Sequence, residues 1–166
     1  MTTPADITID EVRAILSTVM DPEIPVLSVM DLGIVRSISI QDGRIAVSIT
    51  PTYSGCPAMD MIAASIRMEL MSHGFFDPVV TLQLDPAWTT DWMTEAGKSQ
   101  LKTYGIAPPM ARQHASCNDL FREESVQCPH CESWHTHLLS EFGSTACKSL
   151  YKCDDCLEPF DYFKCH

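Results

Sequence analysis

The chain has 166 residues, 45% of them hydrophobic, with 22 acidic against 11 basic side chains and a formal net charge of −11. That length fits one ordinary domain plus a small module, and the charge opposes nonspecific adhesion to phosphate backbones or anionic membranes; the expected partners are proteins, with no nucleic acid and no membrane among them. No apolar run approaches the ~20 residues of a membrane span, and the first ten residues have neither a basic start nor an apolar signal core, so the expected location is cytoplasmic, where eight cysteines call for a metal before disulfides.

Thr8 with Glu11 reads as a capping box, and Ile9, Val12, Ile15, Leu16 and Val19 recur at helical spacing, predicting a first helix over residues 9–19 that Asp21-Pro22 stops. Asp21-Pro22-Glu23-Ile24-Pro25-Val26 is extended, proline-stiffened and carries two carboxylates; Asp31-Leu32-Gly33-Ile34-Val35 then leads into a strand. Alternating runs over residues 34–40 and 44–50 flank Asp42-Gly43, a strong hairpin signal. A second helix carries an apolar stripe at Met59, Ile62, Ala63, Ile66 and Leu70 and stops at Gly74. Residues 79–84 read as a third strand between two Asp-Pro pairs, and Thr89 and Thr90 offer caps to a last helix holding Trp92, Met93, Ala96, Leu101 and Tyr104.

The expected architecture is α+β. An αββαβα domain occupies residues 1–105, its helices packed on a short mixed or antiparallel sheet whose strand order the pattern does not specify. A linker follows over residues 106–124, opened by Pro108-Pro109 and mostly polar beyond, and then a small β module over residues 125–166.

Two sulfur features stand out. Cys56 lies in Tyr53-Ser54-Gly55-Cys56-Pro57, where the second strand turns into the second helix, with Pro57 suited to the first helical turn. A thiol at a helix start faces unpaired N–H groups, which favour the thiolate that binds metals or attacks electrophiles; a small buried hydrophobe at a tight corner is the plainer alternative. Further on, Cys128-Pro129-His130-Cys131 is followed after twenty-one residues by Cys153-Asp154-Asp155-Cys156. Two Cys-x-x-Cys knuckles complete a four-sulfur tetrahedral site, for which structural Zn2+ is the expected ion and a rubredoxin-like iron or a cluster the alternative. So short a module needs the ion to fold, with Trp134, Leu138, Leu139, Phe142, Leu150, Tyr151, Phe160 and Phe163 expected to pack around it. Cys147 and Cys165 are additional thiols nearby, and His130, His135, His137 and His166 read as bystanders.

The motifs Asp21-Pro22-Glu23-Ile24-Pro25-Val26, Asp31-Leu32-Gly33-Ile34-Val35 and Thr50-Pro51-Thr52-Tyr53-Ser54-Gly55-Cys56-Pro57 resemble the MIP-type metal–sulfur cluster assembly domain over residues 5 to about 105. Followed by Glu141-Phe142-Gly143-Ser144-Thr145-Ala146-Cys147-Lys148, the paired knuckles and Pro159-Phe160-Asp161-Tyr162-Phe163-Lys164-Cys165, the whole is similar to the family of D subunits of bacterial phenylacetyl-CoA epoxidases, with a C-terminal zinc ribbon. The resemblance implies an accessory protein of phenylacetate breakdown, not an enzyme in its own right. It implies help in building or inserting an iron–sulfur cluster into the reductase component, with other epoxidase subunits as further partners. Cys56 is then the transfer thiol for a transient iron or iron–sulfur cluster, and Asp21, Glu23 and Asp31 are acidic residues of the same pattern. One thiolate does not hold a cluster alone, so a homodimer, a partner or a small thiol supplies the other ligands.

Two other classes compete with this reading. A nucleic-acid-binding zinc ribbon, or a purely structural adaptor, shares the cysteine pattern, but residues 125–166 carry Lys148, Lys152 and Lys164 against Glu132, Glu141, Asp154, Asp155, Glu158 and Asp161. A thiol enzyme would pair Cys56 with a histidine base, yet within residues 1–105 only His73 is available. Seventeen residues of helix place it roughly 25 Å away.

Overall fold

Chain order runs α1 (Ile9–Leu16), β1 (Val35–Gln41), β2 (Arg44–Ile49), α2 (Met59–Ser72), β3 (Val79–Leu82), α3 (Glu95–Tyr104), β4 (Ile106–Ala107), β5 (Thr136–Ser140), β6 (Lys148–Cys153) and β7 (Pro159–Phe163). The computed structural model describes residues 7–53, 55–110 and 126–164. Two compact units emerge, the first ending at Trp88 and reclaiming Trp92–Thr94, the second holding Thr89–Asp91 and everything from Glu95 onward.

In the first unit the predicted capping box forms: Thr8 Oγ1 accepts the Glu11 N–H (3.3 Å) and the Glu11 carboxylate accepts the Thr8 N–H (2.8 Å). α1 ends at Leu16, not at residue 19. The Ser17 and Thr18 hydroxyls donate back to the Arg13 and Ile15 carbonyls, and i→i+3 backbone bonds tighten the chain from Thr18 to Val19. Residues 19–29 then double back on themselves. The Asp21 N–H donates to the Leu27 carbonyl (2.8 Å) and the Val29 N–H to that of Val19 (2.9 Å), folding Ile24, Leu27 and Val29 into the core.

β1 and β2 pair antiparallel across Asp42-Gly43, both in the left-handed region that a two-residue hairpin with right-handed strand twist demands. β3 joins β2 in parallel, with α2 as the crossover, so the sheet order is β1-β2-β3 and the sheet is mixed. Ile45, Val47 and Ile49 of β2 and the stripe Met59, Ile62, Ile66 and Leu70 of α2 are buried, each aliphatic side chain contributing about 1.5–3 kcal/mol. At the open edge of β3 an Arg67 N–H donates to the Val80 carbonyl (3.1 Å).

The last helix predicted for this domain divides instead. Trp88 donates its indole N–H to the Leu32 carbonyl (3.0 Å), Trp92 lies under the Arg36 guanidinium (3.4 Å to the ring centre), and Thr94 bonds Asp31 through its N–H and hydroxyl. These anchors hold Trp92 and Met93 in the first unit, and α3 starts only at Glu95. α3 and β4 belong to the second unit, so residues 95–105 do not close the first domain and residues 106–107 are a strand, not linker. β4 pairs parallel with β7, through Ile106↔Asp161 and Ala107↔Tyr162, and Lys102 of α3 forms an ion pair with Glu132. Residues 111–124 of the predicted linker, Cys117 included, lie outside the described residues.

The second sheet has the order β4-β7-β6-β5. Its core holds Ala107, Val126, Cys128, Tyr151, Cys153, Phe160 and Tyr162, with Cys156 packed against it. The expected packing set is therefore half right. Tyr151, Phe160 and Phe163 are buried and Leu150 is half-buried, whereas Trp134, Leu138, Leu139 and Phe142 are exposed; Leu138 and Leu139 lie on β5, the edge strand of this sheet among the described residues.

Candidate functional site

Each cysteine knuckle is a tight turn built by its own backbone. In the first, the Cys128 carbonyl accepts the Glu132 N–H and the Cys128 N–H donates to the Ser133 carbonyl, both at 2.9 Å; in the second, the Cys153 N–H donates to the Glu158 carbonyl (3.0 Å). Glu132 and Leu157, each four residues beyond its knuckle's first cysteine, take left-handed φ angles of 63° and 66° that reverse the chain. The β5–β6 ladder brings the knuckles together, so that all four sulfurs lie within 4.8 Å of one another, with Cys128–Cys156 at 3.7 Å and Cys131–Cys153 at 3.5 Å.

A tetrahedral ion with metal–sulfur bonds of about 2.3 Å sets its sulfurs about 3.8 Å apart, so these residues fit a four-thiolate metal site. Their acidity points the same way. The Cys156 N–H donates to Cys153 Sγ (3.5 Å) and, with the Asp155 N–H, brings that thiol down to about 7 against the cost of desolvation. Cys156 is pushed up to about 12: the Glu158 N–H lowers it, but desolvation and the sulfurs of Cys153, Cys131 and Cys128 outweigh that bond. Crowded thiols resist ionising together, and a divalent cation is what lets four thiolates coexist.

Cys56 sits in the turn before α2, three residues ahead of its first residue, so neither it nor Pro57 lies inside the helix. Its carbonyl accepts the Met59 N–H (3.4 Å), its own N–H donates to the Tyr53 carbonyl (3.3 Å), and it is half-buried. The structure overturns the expectation of a favoured thiolate. Burial raises the thiol most; the Ala58 N–H is the next largest influence and lowers it, while the negative charges of Glu23 and then Asp21 raise it further and Tyr53 lowers it least. Three residues singled out in the sequence therefore do share one neighbourhood, with the carboxylates acting on the sulfur through space. Asp21 is buried, and its Oδ1 accepts the N–H groups of Glu23 and Ile24 (2.8 Å each), which fixes the loop carrying Glu23.

Compared along its length with known proteins, the chain is 52% identical over 157 residues to a protein of Escherichia coli (strain K12) named as the D subunit of a 1,2-phenylacetyl-CoA epoxidase, covering 95% of this chain and 93% of that one. The chain belongs to the family of phenylacetyl-CoA epoxidase D subunits. Two family profiles divide this D-subunit sequence: one described as an iron–sulfur cluster assembly protein matches residues 9–73, and one described as the PaaD zinc beta ribbon domain matches residues 112–164. The first portion is also 36% identical over 94 residues to an Fe-S protein maturation auxiliary factor of Porphyromonas gingivalis, covering 55% of this chain and 89% of that one. Among solved structures, a domain of unknown function (DUF59) from Bacillus anthracis superposes with a TM-score of 0.52 at 23% identity (55% of this chain, 89% of that one), and a conserved hypothetical protein of Thermotoga maritima with 0.51 at 28% (61% and 98%). Both share the fold of the part of this chain that they cover.

The remaining candidate residues of this D-subunit chain have structural partners. Asp31 accepts hydrogen bonds from the Ser28 hydroxyl (2.7 Å) and the Thr94 hydroxyl (2.8 Å), tying the loop before β1 to the segment after Trp92. Cys147 is buried with its sulfur 3.0 Å from Thr145 Oγ1, next in sequence to buried Lys148, which forms an ion pair with half-buried Asp161 (3.3 Å). Cys165, His166 and Ser54 lie outside the described residues. Sequence reasoning missed His135 and His137 as paired groups: their Nδ1 atoms lie 3.3 Å from Asp155 and 3.0 Å from Asp154. The signal was there in the His-Thr-His alternation and in two aspartates inside a knuckle, but only the β5–β6 register joins them.

The raised Cys56 thiol has a direct consequence. Glu23→Gln removes one of the charges opposing ionisation, which lowers the thiol and enlarges the thiolate fraction at pH 8. Iodoacetamide labelling of Cys56, followed by peptide mass spectrometry, is expected to run faster in Glu23→Gln than in the wild type, with its pH midpoint moved down. An unchanged rate and midpoint would show that Glu23 does not act on this sulfur.

Proposed function

We propose that this D-subunit chain is an accessory, non-oxygenase protein that assists assembly or insertion of an iron–sulfur cluster, its client being the iron–sulfur reductase component of the epoxidase system. Cys56 is the transient ligand for iron or cluster, Zn2+ sits structurally among Cys128, Cys131, Cys153 and Cys156, and other epoxidase subunits are further contacts. The observation that carries this reading is a half-buried thiol whose ionisation is opposed first by burial and then by two carboxylates beside it. Such a sulfur is a poor nucleophile, which argues against thiol catalysis, but the same Asp21 and Glu23 attract a cation; iron arriving there displaces the thiol proton that a neutral electrophile would not. Asp31 supports the site as a positioning residue through Ser28 and Thr94. A single thiolate makes a weak site, as handover requires, with the remaining ligands supplied by the client, a second copy of the chain or a small thiol.

The test is complementation. In cells lacking this protein, Cys56→Ser is expected to leave the reductase component short of iron and acid-labile sulfide and to abolish growth on phenylacetate, while the variant itself accumulates and melts like the wild type. Full cluster content in the reductase with Cys56→Ser would reduce Cys56 to packing and end the delivery reading.

A further inference from the structure

On β5, Thr136 faces inward: its hydroxyl donates to the Val126 carbonyl (2.6 Å) and accepts the Val126 N–H (3.2 Å). Strand alternation sends His137 to the opposite face, 47% exposed, and His135, in the turn just before the strand, is 78% exposed. The antiparallel ladder continues past Thr136↔Cys153 with the Asp154 N–H donating to the His135 carbonyl (2.8 Å), which sets both aspartates of the second knuckle beside the two histidines. His137 Nδ1 lies 3.0 Å from Asp154 Oδ1, and His135 Nδ1 lies 3.3 Å from Asp155 Oδ1. The Ser133 hydroxyl donates to Asp155 Oδ2, which fixes that carboxylate against the His135 ring.

A carboxylate at Nδ1 takes the ring N–H there. The lone pair of the neutral imidazole is then on Nε2, at the ring edge away from the aspartate, which is the arrangement of metal-bound histidines backed by a carboxylate. Flanking the first residue of β5, the Cα atoms of His135 and His137 are at most about 6.6 Å apart, a span that two imidazole arms can close on one ion at about 2.0–2.1 Å per bond. The neighbouring charges favour a cation, since Asp154 and Asp155 outnumber Lys152, the residue opposite His137 in the ladder. The geometry points to a second, solvent-facing metal site at the start of β5, in which His135 and His137 ligate a borderline divalent ion of the Zn2+, Cu2+ or Ni2+ class through Nε2. Asp154 and Asp155 are its positioning residues. Two protein ligands leave the other positions to water, so the ion exchanges, unlike one enclosed by four thiolates. This site is independent of any role for Cys56.

The experiment starts from the full chain carrying one zinc and adds Zn2+ alone, followed by calorimetry and by NMR of the histidine ring nitrogens. A second, weaker equivalent is expected, with the Nε2 signals of His135 and His137 shifting in proportion to its filling. His135→Gln with His137→Gln removes that equivalent while the first zinc is retained, and Asp154→Asn with Asp155→Asn weakens it about 10–100-fold. Ring nitrogens of both histidines that stay unshifted in the wild-type protein at millimolar Zn2+ would overturn the assignment, and so would a second equivalent that survives the double glutamine variant.

Discussion

Stripping the metal from the four-cysteine site, by chelation or by Cys128→Ser, will unfold the second unit and leave the first standing. Cys128 and Cys153 have no exposed surface and are members of the same core cluster as Tyr151, Phe160 and Tyr162, so an ion bound there would tie two of its ligands into the module's hydrophobic core, with Cys156 half-buried and Cys131 exposed. Without it, buried thiols crowd one another with nothing to neutralise the ionised ones, and little apolar area remains, because Leu138, Leu139, Phe142 and Trp134 are exposed. Binding of a structural zinc supplies on the order of 10 kcal/mol of folding free energy in comparable small modules, more than a core of this size offers by burial. Hydrogen exchange with mass spectrometry is expected to show protection lost across β4–β7 and kept in α1, α2 and β1–β3. Protection that persists in β6 and β7 of the metal-free protein would mean that the site is not what folds the ribbon.

Gly33→Ala is expected to be the most damaging single methyl group in the first unit. Gly33 has φ +71°, and a Cβ built there would lie 2.1 Å from the Trp92 carbonyl oxygen and 2.6 Å from its carbon. The left-handed conformation costs alanine about 1–2 kcal/mol, and relieving a clash against backbone costs about 1–3 kcal/mol more. Relief also means displacing Trp92 from the Arg36 guanidinium. A loss of roughly 3 kcal/mol lowers the melting temperature by on the order of 10 °C. Gly55→Ala is the control: its φ is +93° but nothing stands within 4 Å, so it should show the conformational cost alone. Equal melting temperatures for the two variants would refute the close approach of Trp92 to the loop before β1.

The two units differ in how far their chemistry was legible. The capping box at Thr8 and Glu11, the Asp42-Gly43 hairpin, the alternation of Ile45, Val47 and Ile49, the stripe on α2 and the two cysteine knuckles each occupy a few consecutive residues or one helical face, and each forms as read. The helix expected to begin near Trp92 failed because its first residues are held by partners sixty positions away, Asp31 and Arg36. Glu95–Tyr104 went to the second unit because Ile106 and Ala107 pair with β7, fifty-five residues on. Nothing in the periodicity of either segment announces such partners.

Cys56 marks the division most clearly. Its position between β2 and α2 follows from the strand pattern, Gly55 and Pro57, all local features. Its acidity does not, because burial of the sulfur outweighs the effect expected of a helix start, and Glu23 and Asp21 add to it from a loop more than thirty residues earlier. Backbone propensity, turn chemistry and ligand spacing act within a turn or two of chain and so are written in order along it. The field at a sulfur, the place of β5 at the end of its sheet among the described residues and the aspartates that meet His135 and His137 depend on which distant segments fold against each other, and that is settled only when strands pair and helices pack.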